Sequence, residues 1–305
     1  MCRSRPLQGL FIAEFFVFGL VFGSFLNVCI YRMPRGLSVI RPRSACPSCH
    51  APIAAYDNLP VLSWMILRGR CRRCKSAISP RYAAVELLTG LFFVLSYLVS
   101  AGSIPLAVKY CVFSFLLIGL VFTDAETKLL PDLLTIPGLI AGLLFSFFVP
   151  VPEILLSRWI DADGPLLWFS ASAAGAITGA GFILGVAILY KAVRGIEGMG
   201  MGDVKLMAFI GAFLGLELTL VVLLAASVIG SIFGITLMLM VWRKRLARRR
   251  RRIQEPAGTA RAKAWFSAKL IFRHLEIPFG VFLGTAAMLA AFWGMPLVHW
   301  YLGLF

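Results

Sequence analysis

The chain has 305 residues, of which 60% are hydrophobic and only 14% charged, with a formal net charge of +16 and a mean hydropathy of +0.87. A soluble domain keeps about a quarter of its residues charged, so the composition excludes an ordinary soluble enzyme. The basic excess points to nucleic acid only in a soluble chain; in a membrane protein it marks the loops that stay in the cytoplasm.

Apolar residues come in blocks of about twenty, the length that crosses a hydrocarbon core. Residues 10–31, 82–101, 104–123, 133–150, 166–190, 204–216, 218–242 and 278–302 are predicted spans. The expected fold is an all-α polytopic membrane protein of about eight transmembrane helices with a small cytoplasmic zinc-ribbon-like loop. Its parts are a first span (1–31), a cysteine-bearing loop (32–81) and a membrane core (82–305) with a basic loop at about 243–276. The first block is too long for a signal-peptide core, contains Glu14 and lacks a small-residue cleavage site, so it reads as a retained span. Gly19 and Gly23 stand there at GxxxG spacing, with Asn27 one turn on, which suits a close helix contact.

Residues 32–81 carry ten Lys or Arg against Asp57, and residues 243–273 carry twelve against Glu255, whereas Arg158 is the single basic residue near Glu153–Asp163. Placing both basic loops in the cytoplasm puts the N-terminus outside, against the minor pull of Arg3 and Arg5. Asp124, the 191–203 loop and the arginine run then share the cytoplasmic face.

Cys46-Pro-Ser-Cys49 and Cys71-Arg-Arg-Cys74 are two CxxC turns with 21 residues between them. Each turn aims two thiolates at one centre, and a pair completes a tetrahedral zinc site. A reducing cytoplasm argues against disulfides. With four thiolates no coordination position stays open, so the metal is expected to be structural. His50 reads as a solvated loop residue, Cys29 and Cys111 as span residues, and Cys2 lies outside the pattern.

Two aspartates stand at span edges. Asp124 follows the third span, ahead of Glu126 and Leu130-Pro131-Asp132; Asp203 closes Gly198-Met-Gly200-Met-Gly202-Asp203-Val-Lys205. Asp203 and Asp132 have an ordinary use as helix N-caps. Asp124 ends a helix, where the dipole disfavours a negative charge, and Asp203 begins one, where the dipole favours it. That contrast predicts Asp203 as the resting base and Asp124 as the acid. Two carboxylates at one depth on one face are what paired-aspartate acid–base chemistry requires. The glycines offer close approach and backbone freedom. Lys205 either snorkels toward head groups or biases the charge of Asp203.

In order along the chain, Gly23-Ser-Phe-Leu-Asn-Val-Cys-Ile-Tyr-Arg-Met-Pro34, the four cysteines, Asn58-Leu-Pro60 to Trp64, Arg81-Tyr82 to Glu86, Asp124…Leu130-Pro131-Asp132, Gly200-Met-Gly202-Asp203-Val-Lys205-Leu and Ile277-Pro-Phe-Gly280 closely resemble the type IV prepilin peptidases, bifunctional leader peptidase/N-methyltransferases. The resemblance spans nearly the whole chain. It implies Asp124 and Asp203 as the catalytic aspartates, with Glu126, Asp132, Gly200, Gly202 and Lys205 supporting or facing substrate. It further implies prepilin or pseudopilin substrates with a short basic leader, cleavage at the cytoplasmic face of the bacterial inner membrane, and methylation of the new N-terminus by S-adenosylmethionine. The chain departs from the pattern in a longer segment around Pro150–Pro165 and a longer basic loop over 243–273. An ion-coupled transporter is the rival reading, since membrane carboxylates and glycine-broken helices also suit ion coupling; its charges belong near the midplane rather than at one edge. The arginine run at 248–252 reads as an anchor against anionic lipid, and no nucleic-acid partner is expected.

Overall fold

In the computed structural model, residues 5–158, 164–195, 198–252, 257–273 and 278–303 are described, with side chains of 5–7, 158, 250–252, 257–258, 260, 271–273 and 302 excepted. Cys2, Ile277 and the end of the Glu153–Asp163 loop lie outside that set. The described chain is helical: α1 (Arg5–Arg32), α2 (Leu62–Ile66), α3 (Arg81–Val99), α4 (Ile104–Thr127), α5 (Asp132–Phe145), α6 (Pro165–Arg194), α7 (Met201–Arg252), α8 (Ala257–Arg273) and α9 (Phe279–Leu302). Six of these are long and apolar enough to cross a membrane, and α5 is a shorter apolar helix. Every predicted span contains helix, but the fourth stops at Phe145 rather than at 150, and the sixth and seventh both fall within α7.

That helix is broken at Gly215, whose φ of 79° and ψ of −178° are not helical. In a straight helix Met207 and Thr219 would stand about 18 Å apart. A methyl placed on Gly179 of α6 would nevertheless lie 3.0 Å from both Met207 O and Thr219 Cγ2. The chain therefore folds back at Gly215, and α7 is a helical hairpin packed along α6. Its second arm runs antiparallel to α9, with Leu218 against Gly294 and Gly230 against Phe282.

The first arm is the centre of the core. Leu206, Met207, Phe209, Ile210, Phe213 and Leu214 are all buried, and Phe209 and Phe213 stack around Phe113 of α4. Small residues let the backbones approach, as membrane helix packing favours. Gly138 and Gly142 of α5 face the rings of Phe209 and Phe213, and Gly19 and Gly23 of α1 face Gly90 and Glu86 of α3. Asn27 continues the α1–α3 contact, its Nδ2 donating to Tyr82 O at 2.9 Å. At the hairpin's tip the 149–155 segment covers Gly215. Val149 and Val151 are buried there, and Glu217 accepts the Leu155 amide at 2.7 Å.

Candidate active site and metal centre

Asp124 lies in the last turn of α4 and is only 5% exposed. A carboxylate stripped of water needs donors, and the Val281 amide donates to its Oδ2 at 3.0 Å. Val281 belongs to the first turn of α9, where free N–H groups and the helix dipole favour an anion. Gly280 permits this approach, because a methyl there would sit 2.8 Å from Asp124 Oδ2. The dipole contrast expected from chain order therefore does not hold. Asp124 ends one helix, but its carboxylate is received by the start of another.

Asp203 lies in the first turn of α7, its amide donating to Gly200 O at 3.2 Å. It sits inside the turn rather than at the cap, within electrostatic reach of Asp124. Leu130 spans the gap between the two loops. A methyl on Gly202 would lie 3.2 Å from Leu130 Cβ, and one on Gly280 would lie 3.4 Å from Leu130 Cδ1. Gly202 and Gly280 are thus tight, and Gly198 packs on the Tyr190 ring, whereas Gly200 meets only Gly202 N, at 3.9 Å. Close approach explains three of these glycines but not Gly200.

Two further acidic residues of this end, among those described, are paired. Asp132 opens α5 without capping it and takes Lys205 Nζ at 2.7 and 2.8 Å. Lys205 thereby ties α7 to α5, which is neither of its two predicted roles. Glu126 accepts Arg81 Nη1 of α3, and that guanidinium stacks over Tyr82. The donors and spacers Val281, Gly280, Leu130 and Arg81 had no role in the sequence reading, although three of the four lie inside matched motifs. A glycine two residues after a proline at the mouth of the last span was the available signal.

The four predicted metal ligands converge. The Sγ atoms of Cys46, Cys49, Cys71 and Cys74 all lie within 4.8 Å of one another, with Cys46 and Cys74 3.8 Å apart. Four thiolates placed tetrahedrally around zinc at 2.3 Å stand about 3.8 Å apart, so the set fits the ion. The two halves repeat one turn. Cys46 N donates to Ala51 O and His50 N to Cys46 O; Cys71 N donates to Ser76 O and Lys75 N to Cys71 O. His50 and Lys75 take positive φ at the same place in each half, and a bridge closes each base, Ala45 to Pro52 and Arg70 to Ala77. Amides of Cys49 and Ser48 lower the Cys46 thiol to about 6, and the Ser76 hydroxyl lowers that of Cys74. Asp57, the loop's one acid, ties the segment between the halves to the second half through Arg72 at 2.7–3.0 Å.

The module is seated on the bundle by a buried carboxylate. Glu86 of α3 accepts the Val61 amide at 2.8 Å, and the Trp64 indole donates to Ile78 O at 3.2 Å behind it.

Comparison with known proteins matches residues 17–100 to the bacterial peptidase A24 N-terminal domain and residues 111–235 to the type IV leader peptidase family. A prepilin leader peptidase/N-methyltransferase of Aeromonas salmonicida is 34% identical over 98% of this chain and 96% of its own length. Proteins of the same description from Klebsiella pneumoniae and Myxococcus xanthus are each 40% identical, over 70% and 82% of this chain and 89% and 70% of their own. No solved structure matches significantly. With the two halves matched in order and whole-length relatives at this identity, the chain belongs to the type IV leader peptidase family.

Proposed function

We propose that this chain cleaves the leader peptide of prepilins or pseudopilins at the cytoplasmic face of the bacterial inner membrane and methylates the new N-terminus. The hydrolytic pair is Asp124 and Asp203. The observation that carries this reading is their convergence: 79 residues apart in sequence, both carboxyl groups stand at helix starts within electrostatic reach. Cytoplasmic orientation is supported by the basic segments 32–81 and 243–252, which lie at the aspartates' end of the bundle.

Two neighbouring carboxyl groups share one proton and titrate as a unit. Asp124, which accepts the Val281 amide, acts as base and takes a proton from a water. The resulting hydroxyl bonds to the scissile carbonyl carbon while Asp203 gives its proton to the carbonyl oxygen. Collapse of this intermediate breaks the C–N bond. The proton held by Asp124 passes to the leaving amine and Asp203 regains its own, so the pair is restored. This assignment reverses the one drawn from chain order, because the donor to Asp124 comes from α9.

Zinc, held by Cys46, Cys49, Cys71 and Cys74, supplies structure alone, since four protein ligands fill its shell. The relatives' N-methyltransferase description supports the second activity, with S-adenosylmethionine as donor and the amine freed by cleavage as acceptor. Incubation with a prepilin and labelled S-adenosylmethionine tests both halves. Asp124→Asn and Asp203→Asn are each expected to abolish cleavage while leaving methylation of a pre-cleaved pilin intact; cleavage by either variant would sink the aspartate pair.

A further inference from the structure

The outward face of the cysteine module is apolar where a solvated loop should be polar. Helix α2 turns Ser63 and Trp64 inward, Ser63 buried and Trp64 bonded to Ile78. Leu62, Met65 and Ile66, spaced three and four apart, share the opposite face. They are 57%, 63% and 73% exposed, and Leu59, one turn earlier, is 51% exposed. A contiguous apolar ridge on an exposed surface marks an interaction site.

Three observations identify its occupant. The ridge is fixed at the membrane's edge, because Val61, next to Leu62, bonds Glu86 of the spanning helix α3. Glu86 is five residues past Arg81, about 7.5 Å along that helix. Next, the residue after the ridge opens a recess of about 380 Å3 lined by Leu67, Arg68, Arg70, Cys71 and Lys75. Finally, ten basic residues against one acid across 32–81 repel a basic leader and attract anionic head groups.

We propose that the ridge and the basic recess form a membrane-docking surface, in which Leu59, Leu62, Met65 and Ile66 lie among acyl chains at the interface and Arg68, Arg70 and Lys75 hold the phosphates of anionic lipids. Apolar residues flanked by cations are the chemistry of interfacial anchoring. The module is thereby held flat against the bilayer beside the aspartates, pinned on one side by Glu86 and on the other by lipid.

Full-length protein carrying photoreactive benzoylphenylalanine in place of Ile66 is reconstituted in nanodiscs of zwitterionic lipid, with or without phosphatidylglycerol, and illuminated. Crosslinks to lipid, enriched in phosphatidylglycerol, are expected. The same label at Leu62 should give the same result, which guards against a local folding defect at either position. Charge reversal by Arg68→Glu, Arg70→Glu or Lys75→Glu changes the local charge by two units and should lower that enrichment about 30-fold per reversal, and Arg68→Lys should keep it. Capture of a second copy, capture of added prepilin, or no lipid adduct from either position would overturn the docking surface. Equal enrichment in the charge-reversed variants would overturn the phosphate contacts. The readout needs no turnover, so its failure is separate from failure of the peptidase reading.

Discussion

Gly280 sets the geometry of Asp124 more directly than any residue of the aspartate's own helix. Its missing side chain lets the first turn of α9 reach the carboxylate, and a methyl at 2.8 Å from Oδ2 must push that oxygen aside. A displacement of about 1 Å in a reacting group costs about 100-fold in rate, so Gly280→Ala should lower the kcat of prepilin cleavage by that order. Gly200→Ala, facing open space at 3.9 Å, should leave kcat within a few-fold, and the two variants assayed side by side separate packing from mere glycine content. The Lys205–Asp132 pair is half exposed, at 39% and 55%, and such pairs contribute at most about 1 kcal/mol. Lys205→Ala is therefore expected to change thermal stability little. The two aspartates were legible in the sequence because each carries a local motif. The donor to Asp124 was not, because it comes from 157 residues further along, and only tertiary packing brings it there.

The cysteine module shows the same division at the scale of the element. Two CxxC turns announce a metal site by spacing alone, and the knuckles form as that spacing requires. The seat of the module could not be read, since a lone Glu86 in an apolar helix carries no sign that it receives the Val61 amide. Metal occupancy should follow pH in a defined direction. Four thiolates must form for the ion to bind, and each thiol gives up a proton in doing so. Backbone amides and the Ser76 hydroxyl lower the Cys46 and Cys74 thiols, whereas Cys49 is raised, so protons compete with the metal and binding weakens as pH falls. A chromophoric chelator followed against pH should report zinc retained at neutrality and released on acidification. After release, the module should become sensitive to limited proteolysis while the helices of the bundle stay protected, because the packed core draws on none of the four thiolates. Simultaneous loss of protection in the bundle would show that the metal supports the whole fold.

For the whole molecule, the decisive feature is the depth at which α7 reverses. Sequence periodicity separated two spans near residue 217 and so found the hairpin, but it gave no reason for the first arm to be short. Met201 to Leu214 is 14 residues, about 21 Å of helix, less than the ~30 Å hydrocarbon core. The 149–155 segment makes up the difference by covering the tip, with Val151 against Gly215 and Glu217 holding the Leu155 amide. Since Asp203 stands 12 residues from Gly215 on a rigid arm, the position of the reversal fixes the height of that carboxylate relative to Asp124. Gly215 combines a φ of 79° with an extended ψ, a region that L side chains enter only at a cost of about 1–3 kcal/mol. An added methyl would also lie 2.6 Å from Val151 Cγ1. Gly215→Ala is thus expected to lower the melting temperature in detergent and to reduce cleavage together, although the residue lies at the opposite end of the bundle from both aspartates. Gly230→Ala, on the same helix with its nearest neighbour at 3.6 Å, should change neither. If Gly215→Ala loses stability but cleaves at the parent's rate, the hairpin is a packing element and the height of Asp203 is fixed by its loop and the Lys205–Asp132 tie instead.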